Sequence, residues 1–332
     1  MKVIKKNMVA LAVAGALVSP LAAMAEGVEV SGFIDVIGNS EGTVENSTVP
    51  AVFTASAEID VSKKMGAVTI RADFDANLAD NGGFGAQDSG RLEQAFFAWA
   101  ATEQVTVMGG LFNNPIGQEL EDAPDMHFTS HGVVWNILDN QTALYGNNVA
   151  GIAAAAAVGP ATVTLAVVDD LGLATNDAGD KGKTSVALVV NATPMAGLDL
   201  ELGYVTQDDQ EVASVATTAG NVFDFNAAFK TGQLTLGLDY LTADNAVDSA
   251  TNFWVGFDVS NKVNVKARYE MLAFEANGVD DSTRTTLYGT YAIEENLSVA
   301  LEWSAGDTDA TQDGTFGIAD DDVTTLEFIG TF

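Results

Sequence analysis

The sequence predicts an all-β protein, an antiparallel transmembrane β-barrel of about sixteen strands with short turns at one end and long loops at the other. Three observations lead to this prediction. Apolar and polar residues alternate along segments of about ten residues, which is the length of a tilted membrane strand. The connections between these segments are alternately short and long, and the chain begins with an export signal.

The first 25 residues have the features of a secretory signal peptide. Three lysines precede a short apolar run, and residues 23–25, Ala-Met-Ala, fit the small-x-small cleavage pattern. We therefore predict removal of residues 1–25 and one barrel domain over residues 26–332. Because the sequence contains no cysteine, disulfides and a lipid-modified cysteine anchor are excluded.

The composition is strongly acidic, with a formal net charge of −32. Loss of the three lysines with the leader would make the mature chain more acidic still. Such a charge repels nucleic acid, so we expect no nucleic-acid partner. After the leader, no apolar run approaches the ~20 residues that a membrane helix needs. Alternating barrel strands do not produce such a run, so this observation is compatible with a membrane barrel.

The alternation is clearest in segment 263–273, VNVKARYEMLA, where every second residue is apolar. The other face of this segment carries Asn264, Lys266, Arg268 and Glu270. The same rule holds in segments 68–74, 233–241 and 297–303. A soluble β-sandwich shows the same pattern in each strand, so alternation alone does not distinguish the two folds.

The connections favour the membrane barrel over the sandwich. Short turns are predicted around residues 63–64, 102–103, 159–160, 194–195, 231–232, 261–262 and 294–295. Long polar loops are predicted at 38–50, 77–90, 112–148, 169–183, 207–219, 243–249, 275–283 and 305–322. An even number of strands then places both termini at the short-turn end, as in outer-membrane barrels. The last strand, TTLEFIGTF, carries Phe328 and Phe332 on its apolar face and resembles the insertion signal of such barrels.

The segment from Leu92 to Phe112, LEQAFFAWAATEQVTVMGGLF, predicts two strands joined by a tight turn at 101–103. Its alternate apolar residues, including Phe97 and Trp99, would face lipid, and Glu93 would face the interior. One irregularity remains, because Gln94 and Phe96 would share a face.

The longest connection, residues 112–148, is expected to fold into the barrel and to narrow the pore. Its apolar residues require burial inside the barrel or, as the alternative, beneath an ordered flap at the surface. If the loop lies inside, its acidic residues line the narrowest passage; these are Glu119, Glu121, Asp122 and Asp125.

Three basic residues, Arg71, Lys266 and Arg268, are predicted to point into the lumen. They could form a basic wall opposite the acidic loop, so that a transverse field orients solutes. Structural ion pairs with Asp73, Asp75 and Glu270 are an equally good explanation of their presence. The two interpretations are compatible.

Metal sites and catalysis receive little support. His127 and His131 are four residues apart, but no helix or third ligand accompanies them, and with Asp125 they are the only candidates for a hydrolase. Asp309, Asp313 and Asp320 occupy positions that resemble a calcium-binding loop, without its flanking helices. We therefore predict no cofactor, and at most Ca²⁺ or Mg²⁺ at external acidic loops, where it could bridge to lipopolysaccharide.

Several residues of this chain resemble the OmpL-like β-barrel porins of Gram-negative bacteria. They are the strand from Leu92, Gly109-Gly110, Pro115-Ile116-Gly117, Glu119, Asp122-Ala123-Pro124, the opening strand VEVSGFIDV and the terminal Phe332. The segment 127–131 departs from the family pattern. The resemblance implies a diffusion channel and identifies no solute.

The sequence thus predicts an outer-membrane porin for passive diffusion of small hydrophilic solutes and ions, with a preference for cations. The alternative is a non-conducting barrel that acts as an adhesin or structural anchor through its acidic external loops. Expected partners are outer-membrane lipid, lipopolysaccharide and the outer-membrane assembly machinery, and a homotrimer is compatible with the sequence.

Overall fold

The computed structural model describes residues 27–40, 53–77, 91–141, 147–169, 184–206, 220–244, 247–275 and 279–332. The predicted signal peptide and much of the predicted external loops lie outside these residues. Within them, no helix is long and apolar enough to cross a bilayer.

Sixteen strands are found in the described part of the chain. They are β1 (Glu29–Asn39), β2 (Phe53–Met65), β3 (Val68–Asn77), β4 (Arg91–Ala100), β5 (Val105–Asn113), β6 (Asn148–Val158), β7 (Ala161–Asp169), β8 (Thr184–Met195), β9 (Leu198–Val205), β10 (Val222–Thr231), β11 (Leu234–Ala243), β12 (Val247–Asp258), β13 (Val263–Phe274), β14 (Ser282–Glu294), β15 (Leu297–Asp307) and β16 (Asp322–Thr331). One helix, α1 (Val133–Gln141), lies between β5 and β6.

Each strand pairs antiparallel with its sequence neighbours, and β16 pairs with β1, so the sheet is a closed barrel. The predicted fold class and strand number are confirmed. At the seam Phe33 lies opposite Thr331, and the Phe332 N–H donates to the Gly32 carbonyl oxygen at 3.1 Å. A Cβ at Gly32 would lie 2.1 Å from the Glu58 carbonyl oxygen, so only glycine permits this approach. Phe328 and Phe332 are exposed on the outer face, and their role in insertion remains a prediction.

The two faces of the barrel reverse the usual distribution of polar and apolar residues. In β15, Leu301 is 56% exposed, whereas the adjacent Glu302 is 3% exposed. Leucine, isoleucine and aromatic side chains occupy the outer face of the other strands as well, and carboxylates occupy the inner face. A soluble β-sandwich would bury the leucines and expose the acids, so this arrangement is that of a barrel with an apolar surround and a polar lumen.

Four turns at the short end contain a glycine in the left-handed region, namely Gly66, Gly159, Gly197 and Gly232. The turn predicted at 63–64 lies at 66–67, because Gly66 adopts a left-handed φ of 61° while Lys63 and Lys64 remain in β2. The turn predicted at 194–195 is displaced in the same way to 196–197. One predicted long loop, 243–249, is wrong, since β11 ends at Ala243 and β12 begins at Val247.

The irregularity in β4 is a β-bulge. Asp73 of β3 pairs with Gln94, and the next residue, Phe74, pairs with Leu92, so Glu93 has no partner of its own in the register. Glu93 and Gln94 therefore both point inward and are both buried. The extra residue shifts the alternation by one, which returns Phe97 and Trp99 to the outer face.

A charged side chain on the outer face should lower the stability of the barrel, whereas a charged side chain at the same depth on the inner face should not. Leu301→Arg is expected to lower the free energy of unfolding by about 2–4 kcal/mol, because the side chain must enter hydrocarbon near the middle of β15. The matched control is Thr290→Arg. Thr290 follows Gly289, the residue that pairs with Leu301, so it lies at the same depth but on the inner face. Urea unfolding in lipid vesicles measures both; equal losses would contradict the assignment of faces.

Candidate functional site: the lumenal loop

The connection between β5 and β6 folds into the barrel. Its residues Ile116, Val133, Ile137 and Leu138 are almost completely buried. They form one apolar cluster with inward-facing side chains near the long-loop ends of the strands, namely Val205, Val222, Leu241, Val247 and Leu272. We call residues 114–141 the lumenal loop. Its apolar packing accounts for the aliphatic residues noted in the sequence.

Three basic side chains on adjacent strands hold one side of the lumenal loop. Lys266 of β13 donates to the His127 carbonyl oxygen. Arg268 donates to the carbonyl oxygen of Ser130 at 2.9 Å and to its hydroxyl at 2.8 Å. Arg284 of β14 donates to the carbonyl oxygens of His131 and of Gly317. These side chains therefore satisfy carbonyl groups of a loop that has no regular structure there.

Carboxylates of the same wall accept the N–H groups of the loop. Glu302 of β15 accepts from the Thr129 N–H at 2.8 Å, and Glu270 of β13 accepts from the Val133 N–H at 2.7 Å. Glu270 also pairs with Arg284 at 2.6 Å and with Arg268 at 3.1 Å. The Thr129 hydroxyl donates to Glu327 at 2.7 Å. The loop backbone is thus bound to β13–β16 through both donors and acceptors.

Further contacts hold the loop on other strands. The Gly117 N–H donates to Glu201 of β9 at 2.8 Å. The Gln141 amide, at the end of α1, donates to the Gly220 carbonyl oxygen at 2.6 Å. The lumenal loop therefore crosses the interior from β5 to β9 and to β13–β16.

The four predicted loop acids do not form one acidic rim. Glu119 turns back on its own loop, where it accepts the Gly132 N–H at 3.0 Å and lies 3.1 Å from Nδ1 of His131. Burial acts to raise the pKa of Glu119, but the hydrogen bond and charge of His131 lower it overall. Glu119 therefore acts as an internal brace of the loop.

The other acids of the loop differ in environment. Asp125 is exposed to solvent. Burial, together with the nearby carboxylates of Asp139 and Asp122, raises the pKa of Glu121 to about 8. Burial also raises the pKa of Asp122. The carboxylate of Asp122 faces Glu58 of β2 and Glu93 of β4.

The predicted basic wall is divided between two places. Lys266 and Arg268 lie together on β13 and bind the loop backbone directly, so they are anchors of the loop. Arg71 lies on β3, where it pairs with Asp73 at 2.7 Å and with Asp60 at 3.0 Å. The ion pairs that the sequence offered as an alternative are therefore present for Arg71 with Asp73 and for Arg268 with Glu270.

The two histidines have separate neighbours. The His127 ring lies 4.3 Å from the Trp254 ring, and the His131 ring stacks on Trp135 at 3.5 Å between centroids. Burial and the charge of Lys266 lower the pKa of His127 to about 4, which keeps its ring neutral near pH 7. Both histidines contribute to the packing of the loop.

Comparison of the sequence with models of known protein families identifies the family of this chain. A family model described as beta-barrel porin-2, OmpL-like, matches residues 27–321. The chain belongs to this family. The resemblance recognised in the opening strand and around residues 92–124 is confirmed, and the match extends over nearly the whole barrel.

Solved porin structures share the fold of this OmpL-like porin. Salmonella typhi OmpF in complex with daunomycin superposes with a TM-score of 0.71 at 12% identity, over 92% of this chain and 97% of that chain. A mutant of Rh. blastica porin superposes with a TM-score of 0.61 at 13% identity, over 92% of this chain and 100% of that chain. Comparison with curated protein sequences finds no significant match.

The most important residue that sequence reasoning missed is Arg284. Its partner, Glu270, lies directly opposite in the β13–β14 register. The alternation of β14 does place Arg284 on the inner face. Its pairing with Glu270, however, depends on the register between β13 and β14, and the sequence of the loop that joins these strands does not define that register. The sequence also does not identify Glu58, Glu201 and Glu302 as neighbours of the lumenal loop, because those contacts join distant parts of the chain.

The carboxylates of the predicted external cation ligands do not meet in one cluster among the described residues. Asp309 accepts the Thr311 N–H at 2.8 Å, and Asp313 accepts the Asp320 N–H at 2.9 Å. The carboxylate clusters found in the described residues do not include Asp309, Asp313 or Asp320. These carboxylates instead cap turns of the β15–β16 connection, whose Gly314 has a φ of 78°.

Arg268 should control the order of the lumenal loop. Arg268→Met removes its hydrogen bonds to Ser130, so amide exchange at residues 127–133 is expected to become roughly tenfold faster. The measurement is hydrogen exchange followed by mass spectrometry. The control, Arg71→Met, removes a guanidinium that binds strand acids and should leave exchange in this segment unchanged. Equal protection in wild type and Arg268→Met would show that Arg268 is not an anchor.

Proposed function

We propose that this protein is a porin of the outer membrane that allows passive diffusion of small hydrophilic solutes and ions and prefers cations. Its family and its closed sixteen-strand fold, seen in the described residues, support a channel and give no indication of an enzyme. The proposal also concerns which ions pass through the channel, because the charged side chains of the lumen favour one sign of charge.

The observation that carries the cation preference is the charge of the lumenal wall. Among the described residues, nine buried carboxylates lie on inner faces of strands; they are Asp35, Glu58, Asp73, Glu93, Glu201, Asp224, Glu270, Glu302 and Glu327. Two basic side chains of that part of the chain, Arg268 and Arg284, are buried to the same degree, and Arg71 and Lys266 are partly buried on the same faces. In their ionised form, carboxylates in this excess attract cations and repel anions.

The lumenal loop is proposed to set the size limit of the pore. Its backbone is held on β9 and on β13–β16, and its apolar side chains pack against the wall, so it cannot move freely out of the passage. Asp125 and Glu121 would add negative charge where the passage is narrow.

The remaining expectations follow from an outer-membrane location. We propose that the exposed apolar outer face contacts lipid, that the acidic external loops interact with lipopolysaccharide through divalent cations, and that the barrel is inserted by the assembly machinery, with Phe328 and Phe332 as its signal. Homotrimer formation is proposed on the same basis. A lumen closed by the loop would instead favour an adhesin or structural anchor, and conductance distinguishes these functions.

Cation preference is tested by the reversal potential in planar bilayers under a KCl gradient. At about pH 9, where Glu121 is ionised, wild type should pass K⁺ more readily than Cl⁻. The double variant Glu121→Gln/Asp125→Asn should reduce the permeability ratio by roughly half, because two negative charges leave the passage. Anion preference of the wild type would reject the selectivity, and the absence of conductance would reject the porin function.

The matched control for this experiment is Asp309→Asn/Asp313→Asn. It removes the same number of charges from the β15–β16 connection, where Asp309 is partly exposed to solvent. Because exposed charges are screened by salt, the permeability ratio should stay close to that of wild type. Equal effects of the two double variants would show that selectivity is not set in the lumen.

Selectivity should also depend on pH through Glu121. Its pKa of about 8 means that this carboxyl is mostly neutral below that pH and negative above it. Cation preference should therefore rise as the pH increases from about 6 to about 9, and Glu121→Gln should reduce this rise. Asp309→Asn serves as control, since hydrogen bonds from Thr311 lower the pKa of Asp309 and keep it ionised over this range. A pH profile that is the same in Glu121→Gln and in wild type would contradict the prediction.

A further inference from the structure

Three carboxylates from separate parts of the chain meet between the lumenal loop and the wall at β2–β4. They belong to Glu58 of β2, Glu93 of β4 and Asp122 of the loop. One oxygen from each lies within 4.8 Å of the others. The β-bulge contributes to this arrangement, because it turns Glu93 and Gln94 inward together.

Two of these carboxylates have an oxygen without a hydrogen-bond partner. Glu58 and Glu93 are each 1% exposed, and neither Oε1 of Glu58 nor Oε2 of Glu93 has a partner. A buried carboxylate oxygen in this state is costly unless a cation or a proton accompanies it. The unpartnered oxygens therefore indicate that this place needs either a cation or a proton.

The nearest arginine is already engaged. Arg71 directs its guanidinium to Asp73 at 2.7 Å and to Asp60 at 3.0 Å. Those two acids form a second cluster with Glu58, so Glu58 belongs both to the acids around Arg71 and to a second acid group. The second group consists of Glu58, Glu93 and Asp122.

We propose that Glu58, Glu93 and Asp122 form a binding site for a divalent cation, with Ca²⁺ as the preferred ion. Oxygen ligands lie about 2.3–2.6 Å from Ca²⁺, so two ligands of one ion are separated by at most about 5 Å, which accommodates the observed cluster. Mg²⁺ requires shorter distances of about 2.0–2.1 Å and near-ideal octahedral geometry, which a site shared by two strands and a loop meets less well. Water would complete the coordination sphere.

Such an ion would connect the lumenal loop to β2 and β4. The hydrogen bonds of the loop to β9 and to β13–β16 hold it on other parts of the wall, and the ion would hold it through Asp122 on this one. The inference concerns binding of an ion at three named carboxylates. It does not depend on conduction, because binding can be measured on a barrel that passes no current.

Calorimetric titration of the purified, EDTA-treated barrel in detergent with CaCl₂ tests the proposal. Wild type should show one saturable high-affinity site, and Asp122→Asn should weaken it roughly tenfold or more, because one of three charged ligands is lost. Asp122 lies in the loop, so this variant leaves every strand unchanged. Glu93→Gln should weaken binding similarly, and the electrophoretic heat-modifiability of the folded barrel verifies that it has folded.

Two controls separate this site from general attraction of cations. Asp239→Asn removes a carboxylate from β11, on the opposite side of the lumen, and Asp309→Asn removes one from the β15–β16 connection. Both should bind Ca²⁺ as wild type does. The proposal is overturned if wild type shows no saturable binding, or if Asp122→Asn and Glu93→Gln bind with wild-type affinity. Equal displacement of Ca²⁺ by equimolar Mg²⁺ would overturn the ion preference.

Discussion

Backbone hydrogen bonding in an apolar surround is the constraint on which the rest of this structure depends. Hydrocarbon supplies neither donors nor acceptors, so a sheet that crosses it must have no free edge. The pairing of β1 with β16 meets this requirement and brings Phe332 within hydrogen-bond distance of Gly32. Once the sheet is closed, each strand has one apolar and one polar face, and the inner faces together enclose a lumen lined with carboxylates.

The lumenal carboxylates serve the folding of the loop as well as the electrostatics of the pore. A loop inside a barrel has backbone N–H and C=O groups that its own conformation does not satisfy. Glu201, Glu270 and Glu302 accept such N–H groups, while Arg268 and Arg284 donate to the carbonyl groups. Because the same side chains anchor the loop and charge the wall, a substitution among them is expected to change both the order of the loop and the field in the lumen.

The sequence predicts the barrel well because alternation and loop length are local properties. Leu301 and Glu302 can be assigned to opposite faces from their neighbours alone. Turn positions were displaced where glycine conformation decided them, as at Gly66. The site was predicted less well, because it depends on register and on long-range contacts: Arg71 and Arg268 look equivalent in the sequence, yet one binds strand acids and the other binds Ser130. The meeting of Glu58, Glu93 and Asp122 depends on the bulge in β4.

The positions of the basic side chains explain why the two sides of the loop are held differently. On β13 and β14, Lys266, Arg268 and Arg284 balance the wall acids and leave them able to accept hydrogen bonds from the loop. On β2–β4, Arg71 forms its ion pairs with Asp60 and Asp73, and it acts on Asp122 through its charge alone. A loop acid meets wall acids there, so attraction requires a positive partner from solution. The side chains of the barrel hold the loop on β13–β16, and on β2–β4 the proposed Ca²⁺ ion would hold it.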